Sequence, residues 1–263
     1  MARSDVLTRT VGDLAGKARW FLLAEQTPDR DGFLQAVAPS VKLVGLVALV
    51  TLAATREALA AAAALAALAG LLALVSRVPA RAFLGRVSAP PVFAFAVVAP
   101  QAVLMDGSTL AGTPLSEPGV SYVALFVVRV AACVGFLSLL LLTTRFTDLL
   151  AGLRRLRVPG VAVTLLAITY RYLLVFFAEL ERMVRARESR TIQAGGLRRT
   201  WRASGNFPGT FLLRSIERGE RVQRAARARG GTRMVHYDRT KALGRADAVF
   251  AALVAVAVAA VVP

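Results

Sequence analysis

The sequence predicts an all-α integral membrane protein with about five transmembrane helices and, on the cytoplasmic side, a unit of two long helices. Hydrophobic residues make up 56% of its 263 positions, and the mean hydropathy is +0.59. The formal net charge is nevertheless +17, a combination that a soluble domain would not have. Apolar runs long enough to span a bilayer, separated by basic loops, account for both properties. A repeated arginine pattern late in the chain predicts the two long helices.

Four apolar segments form the predicted membrane portion, residues 37–144, which follows a polar cytoplasmic segment, residues 1–36. Pro39 suits an early helix position, and Lys42 is expected to extend its side chain to the lipid headgroups. The second segment is mostly Ala and Leu, a composition that allows close helix packing in lipid. The third segment is expected to kink or break at its prolines, Pro90, Pro91 and Pro100. The four segments cover 37–54, 58–75, 89–105 and 120–142.

The charge of the loops assigns the two sides of the membrane. The loops at 77–86 and 145–157 are basic, whereas the loop at 106–119 carries only Asp106 and Glu117 as charged residues. Basic loops lie on the cytoplasmic side of membrane proteins, so the acidic loop is predicted to be outside. Working back along the chain, the N-terminus is predicted to be cytoplasmic.

Residues 159–178 present a conflict, because they are apolar enough to be a span. If they crossed, residues 179–245 would lie outside, although that region has seventeen Arg or Lys against six Asp or Glu. Arg171 lies in the middle of the segment, and its apolar residues form one helical stripe: Leu165, Ile168, Tyr172, Phe176, Leu180 and Met183. We therefore predict an amphipathic helix along the cytoplasmic face, within one cytoplasmic-side region, residues 145–245. The last transmembrane helix, residues 246–263, then crosses outward.

Two copies of one arginine-rich pattern lie in this region. Residues 181–190 read ERMVRARESR and residues 220–229 read ERVQRAARAR. Each copy ends in an arginine between small residues, Ser189-Arg190-Thr191 and Ala228-Arg229-Gly230. Small neighbours leave the guanidinium unobstructed, and its five donors suit carbonyls or carboxylates of a partner with two similar pockets. The supporting arginines of the repeat are Arg182 and Arg185 in the first copy, matched by Arg221 and Arg224 in the second.

The alternative interpretation of the repeat is a pair of solvated basic helices with salt bridges between residues four apart. A breaker zone at 194–209, rich in Gly and containing Pro208, is expected to divide the region into two helices. Phe211, Leu212 and Ile216 begin the apolar face of the second helix, and Gly230-Gly231 is expected to close it as a C-cap. In the fourth span, Arg129 is expected to snorkel or to pair with a helix carbonyl, because no acidic residue in the other spans could form a relay with it.

Several function classes are not expected from these residues. Cys133 and His236 are the single cysteine and histidine, so neither a disulfide framework nor a histidine-built metal site is expected. The sequence has no nucleotide-binding Gly-Lys-Ser/Thr loop and no facing intramembrane carboxylates, so we expect no enzyme, no catalytic residue and no cofactor on this chain. Nucleic-acid binding would place aromatic residues among the arginines, but the repeat contains none.

A series of motifs, taken in order, resembles a known family from roughly Pro39 to Gly231. The chain is similar to the transmembrane T component of energy-coupling factor (ECF) transporters, and in particular to the cobalt-type branch, CbiQ. The motifs are Pro39-x-x-Lys42, Thr143-Thr144, Leu149-x-x-Leu153-x-x-Leu156-x-Val158-Pro159, Tyr170-Arg171-Tyr172, Glu181-Arg182-Met183, Phe211-Leu212-Leu213-Arg214-Ser215-x-Glu217-Arg218-x-Glu220-Arg221-Val222 and Ala228-Arg229-Gly230.

The resemblance implies a subunit of an ABC-type importer in the plasma membrane of a prokaryote. Two ATPase subunits, which hold the ATP, would bind two coupling helices that each end in an Ala-Arg-Gly signature. A separate S component, CbiM-like, would bind the substrate. The second signature is intact here, whereas the first departs from it as Ser189-Arg190-Thr191, so unequal binding at the two sites is expected.

The resemblance favours cobalt as the substrate, with nickel or a vitamin as alternatives. The other class of function that stays open is a membrane anchor for a different cytoplasmic partner. Anionic lipid headgroups are a further expected partner of the basic segment, at about 1 kcal/mol per basic residue.

Overall fold

The computed structural model describes residues 32–105, 108, 116–190, 206–230 and 243–261. The packing of the Cα atoms divides these residues into two compact units. The bundle unit contains the described residues up to Arg157 together with those from 243 onward. The two-helix unit contains the described residues from Val158 to 230. The predicted domains were defined by membrane side rather than by packing, so residues 145–157, predicted as cytoplasmic, belong here to the bundle unit.

The all-α fold is confirmed over the described residues. The bundle unit contains helices α1 to α8 and α11, and the two-helix unit contains α9 and α10. Their bounds are α1 Phe33–Ala36, α2 Pro39–Thr55, α3 Leu59–Val75, α4 Ala80–Val87, α5 Ala89–Val98, α6 Gln101–Leu104, α7 Glu117–Thr143, α8 Phe146–Arg155, α9 Gly160–Arg190, α10 Asn206–Ala228 and α11 Arg245–Val261.

Within the described residues, three helical stretches are long and apolar enough to cross a membrane: Ala80–Leu104, Glu117–Thr143 and Gly160–Met183, with mean hydropathies of 1.7, 2.5 and 1.9. Helices α2 and α3 are apolar but shorter, with 17 residues each. This set of helices is that of a multi-pass membrane protein. The third stretch contains residues 159–178, whose crossing of the membrane would place the basic region that follows on the outside. Whether they cross stays a prediction.

Helix α7 lies at the centre of the bundle unit, with α2 and α3 packed along it. Leu49, Leu65 and Phe136 are at most 1% exposed and form part of the core between these three helices. The alanine-rich composition of α3 permits close contact, since a Cβ placed on Gly135 of α7 would be 3.1 Å from the Cβ of Ala69. Small residues at the interface thus bring the two helices together, as predicted for this segment.

Helices α2 and α7 are antiparallel, and each contributes a basic side chain that hydrogen-bonds to a carbonyl at the C-terminal end of the other. Lys42, in the first turn of α2, donates from Nζ to the carbonyl oxygen of Thr143 at the end of α7, at 3.0 Å. Arg129 of α7 donates in turn to the carbonyl of Arg56, the C-cap of α2. Both contacts place a positive charge at the negative end of a helix dipole.

These contacts test the two sequence-based predictions about Lys42 and Arg129. The prediction that Lys42 snorkels to the headgroups is wrong, because its side chain is 2% exposed and is held by protein acceptors. The expectation that Arg129 pairs with a helix carbonyl is confirmed. In both cases a neighbouring helix terminus supplies carbonyl oxygens with no hydrogen-bond donor of their own helix.

Helix α11 joins the bundle at the start of α2. The carboxylate of Asp247, 5% exposed, accepts from the backbone N–H of Ala38 at 2.6 Å and from that of Gly244 at 2.7 Å. One turn further along, the buried ring of Phe250 covers Gly45, where a Cβ would lie 2.5 Å from the ring. Glycine at this position of α2 is therefore required by the close approach of α11.

Prolines mark several helix starts. Pro39 begins α2 as predicted, and Pro90 and Pro91 lie in the first turn of α5. Pro100 is the N-cap of α6, so the third apolar segment, 89–105, is broken into α5 and α6. The predicted breaker zone at 194–209 is wrong in its last part, because α10 already begins at Asn206. Pro208 fits there since the first turn of a helix does not use its N–H groups.

Candidate partner-binding site on the two-helix unit

Helix α9 is one continuous helix of 31 residues that carries the first copy of the repeat. At 1.5 Å per residue it is about 46 Å long. Ser189 is exposed near its end and donates its hydroxyl to the carbonyl of Ala186 at 3.0 Å. Arg190 is the last residue of α9 that the structure describes, and Thr191 lies outside the described residues. Ser189 and Arg190 therefore continue the long helix α9.

The second signature terminates α10 in a way that explains its glycine. Ala228 is the last helical residue, and the N–H of Arg229 donates to the carbonyls of Ala225 and Ala226, both at 3.2 Å. Gly230 follows with φ of +77°, a left-handed conformation that other residues rarely adopt. The predicted C-cap at Gly230 is confirmed, and Gly231 lies outside the described residues. All three signature residues are exposed.

Arg229 lies at the C-terminus of α10, where a cation is favourable because the last carbonyl groups carry partial negative charge. Its side chain is exposed, so its guanidinium is accessible to carbonyls or carboxylates of a partner. Arg190 is the corresponding residue of the repeat and the last described residue of α9.

Three contacts between side chains fix the crossing of α9 and α10. Glu179 forms an ion pair with Arg214 at 2.9 Å. The rings of Phe176 and Phe211 are 5.9 Å apart in a T-shaped arrangement, and the guanidinium of Arg218 lies 5.9 Å from the ring centroid of Tyr172. Tyr172 and Phe176, two members of the predicted apolar stripe of α9, therefore face α10.

The crossing lies at the same distance from both signatures. The three contact residues of α9 precede Arg190 by 11 to 18 residues, which is about 17 to 27 Å at the helical rise. The three contact residues of α10 also precede Arg229 by 11 to 18 residues, or about 17 to 27 Å. The two helices therefore extend two arms of equal length from one crossing to the two signature arginines.

The supporting arginines lie in ion pairs along their own helices. Arg182 pairs with Glu179 at 2.6 Å and Arg185 pairs with Glu181, while Arg221 pairs with Glu217 at 3.7 Å. Their arginine side chains are exposed, and exposed pairs of this spacing contribute only about 0.2–0.5 kcal/mol each. Arg224 is exposed as well. For these four residues the structure supports the solvated-helix interpretation.

Sequence reasoning missed the ion pair that joins the two helices. Glu179 and Arg214 are 35 residues apart in the chain, and no local periodicity relates them. A crevice of about 290 Å³ adjoins this pair, lined mainly by charged side chains rather than by the apolar lining typical of small-molecule sites. Among the described residues, no three His, Cys, Asp or Glu side chains are grouped so as to hold a metal ion.

Comparison with known proteins gives a family for this chain. Residues 32–237 match the family described as CbiQ, cobalt transport protein. The cobalt transport protein CbiQ of Rhodobacter capsulatus is 32% identical over 119 residues, which are 45% of this chain and 48% of that protein.

Two uncharacterized proteins of Methanocaldococcus jannaschii are 28% and 29% identical over 116 and 109 residues. These alignments cover 44% and 41% of this chain and 40% of each of the two proteins. The chain thus spans less than half the length of the curated relatives that it matches. The family match covers well over half of the chain and confirms the resemblance in the motifs: this chain belongs to the CbiQ cobalt transport protein family.

Proposed function

We propose that this protein is the transmembrane coupling (T) subunit of an ABC-type ECF importer. It transmits the movement of two cytoplasmic ATPase subunits to a separate S component that binds the substrate. Cobalt is the proposed substrate, with nickel or a vitamin as alternatives. The family match supports a role in transport, and the arrangement of α9 and α10 supports the coupling role.

One observation carries the proposal: two long helices cross, and each carries an arginine of the repeat 11 to 18 residues beyond its contacts at the crossing. Two equal arms with equivalent ends suit a partner that presents two equivalent pockets, such as a pair of ATPase subunits. Each guanidinium can donate several parallel hydrogen bonds, whereas a lysine offers only a point charge. The proposed ATPase contacts are Ser189, Arg190 and Thr191 on one arm and Ala228, Arg229 and Gly230 on the other.

The proposed mechanism is mechanical. ATP binding brings the two ATPase subunits together, and each subunit holds one arm at its arginine. Because the arms meet at the crossing of Phe176 with Phe211, an approach of their ends changes the angle between α9 and α10. The helices pass this change to the membrane and to the S component, which then reorients and releases its substrate inside.

Exposed apolar residues on α10 support a contact of this unit with lipid or with another membrane subunit. Leu212, Leu213 and Ile216 are 59%, 64% and 51% exposed and follow one another on the first turns of the helix. The remaining alternative, an anchor for a different cytoplasmic partner, would use the same arginines without a role in transport.

The first test is co-purification. The full chain is expressed with the ATPase and substrate-binding subunits encoded in the same genome, extracted in detergent and purified by a tag on this chain. We expect stoichiometric ATPase subunits in the complex. A chain that transports nothing and brings down an unrelated cytoplasmic protein would support the anchor instead.

The second test addresses the two arginines. Arg190→Lys and Arg229→Lys keep the charge and remove the fork, so each should reduce uptake if geometry holds the contact. Removing one partner of a buried charge-assisted contact typically costs about 2–5 kcal/mol, so alanine should act more strongly and the double alanine variant should release the ATPase subunits. Arg227→Ala, in the last turn of α10, is the matched control. Full uptake by the double alanine variant would refute the anchoring role.

A further inference from the structure

The side chain of Lys42 is a buried charge in the bundle unit. It is 2% exposed, and its Nζ donates to the carbonyl oxygen of Thr143 and to Oγ1 of Thr144, both at 3.0 Å. A buried ammonium group is costly unless it is well paired, so the two acceptors hold it firmly. The contact joins residues 101 and 102 positions apart in the chain.

The acceptors lie at the point where the chain leaves helix α7. Thr143 is the last residue of α7, and Thr144 is its C-cap, with extended backbone of φ −135° and ψ 127°. Helix α8 begins two residues later, at Phe146. Lys42 therefore neutralises the negative end of α7 and at the same time fixes the turn into α8.

Helix α8 rests directly on the start of α2. A Cβ placed on Gly152 would be 3.0 Å from the backbone nitrogen of Ser40 and 3.1 Å from the carbonyl carbon of Pro39. A Cβ at this position would crowd the backbone of α2, so glycine permits the close approach of the two helices. The same turn of α2 is held from its other side by Asp247, through the N–H of Ala38.

The first turn of α2 thus packs against α8, the helix that precedes the two-helix unit in the chain. Helix α8 ends at Arg155, the left-handed residue Arg157 follows, and Val158 is the first residue of the other unit. In the chain, α8 is the helix of the bundle unit that directly precedes α9, so a movement of α9 can be passed along the backbone to α8. The stiffness of that path depends on how firmly α8 is tied to α2.

We infer that Lys42 is a positioning residue for coupling, which fixes α8 on the α2–α7 pair so that movement of the coupling helices reaches the membrane helices. This inference rests on the proposed T-subunit function. Lys42 is buried inside the bundle unit and is not one of the proposed ATPase contacts. Its loss should therefore leave the complex assembled and the ATPase active while less movement is transmitted.

The experiment compares Lys42→Met with the unchanged chain in the full complex, reconstituted into liposomes with cobalt(II) as the probe. Cobalt uptake and ATP hydrolysis are measured on the same samples. We expect Lys42→Met to retain the ATPase subunits but to lower the uptake per ATP about tenfold, the size expected for loss of a charge-assisted hydrogen bond. Lys42→Arg should recover part of the loss, and the exposed Arg81→Met is the matched control.

A second pair of variants keeps the inference testable if Lys42→Met does not fold. Thr144→Val removes one acceptor with little change of shape and should lower uptake per ATP about threefold, whereas Thr144→Ser keeps the hydroxyl and should act like the unchanged chain. A merely structural role would reduce the amount of complex and leave this ratio unchanged. Unchanged uptake per ATP in Thr144→Val and in any folded Lys42→Met overturns the role of Lys42 alone. Absence of ATPase subunits from the unchanged complex would instead refute the proposed function.

Discussion

The carboxylate of Asp247 is expected to make a large contribution to the stability of the bundle unit. It is 5% exposed and accepts two hydrogen bonds, at 2.6 Å from Ala38 and at 2.7 Å from Gly244. Hydrogen bonds to charged groups contribute about 1.5–3 kcal/mol each. Asp247→Asn keeps one acceptor oxygen and should lower the free energy of unfolding by about that amount. Asp247→Ala removes both acceptors, leaves the Ala38 N–H buried and unpaired, and should cost about 3–5 kcal/mol.

The measurement is denaturant-induced unfolding of the full chain in detergent, followed by the loss of helical circular dichroism. The matched control is Glu57→Gln, which neutralises an exposed carboxylate at the turn between α2 and α3 and should change the free energy by no more than about 0.5 kcal/mol. If Asp247→Ala proves as stable as this control, then the Asp247 contacts do not tie α11 to α2 and the reasoning is refuted.

Two further predictions concern topology and metal binding. Reporters fused after Arg157 and after Leu180 should both read cytoplasmic, because the arginine-rich region that follows residues 159–178 is expected on the cytoplasmic side; opposite readings would mean that this segment crosses the membrane. Calorimetry on the isolated chain should detect no high-affinity cobalt or nickel binding, since nitrogen and sulfur ligands dominate such sites and the chain has one histidine and one cysteine. A tight stoichiometric site would overturn the proposed division of work between this chain and the S component.

The helices themselves could be predicted closely from local patterns. The second predicted segment, 58–75, agrees with α3 to within one residue, and Pro39 and Gly230 mark a helix start and a helix end as expected. These features depend on apolar runs and on the backbone chemistry of proline and glycine, which act over a few residues. The start of α10 was misplaced because proline is compatible both with a loop and with the first turn of a helix.

The candidate site was predicted in part. The two signature arginines come from the repeat and stay a prediction as partner contacts; the structure adds that Arg229 lies at the C-terminus of α10 and that Arg190 is the last described residue of α9. The crossing itself depends on Glu179 and Arg214, which the sequence does not relate to each other. The crossing angle of two amphipathic helices decides which of their residues meet. That angle cannot be predicted from the local pattern of a single sequence.

The sequence by itself determined that this is a helical membrane protein, where several of its long apolar helices begin and end, and which family it belongs to. Hydropathy, helix-ending residues and ordered motifs are all readable along the chain. Only the tertiary structure decided where the buried charges point. Lys42 and Asp247 have partners 101 and 209 positions away, and their sequence surroundings allow a snorkelling lysine or a solvated carboxylate equally well. A buried charge requires a hydrogen-bonding partner, and that partner is supplied by the packing of distant segments. Its role therefore follows from the tertiary structure and not from its neighbours in sequence.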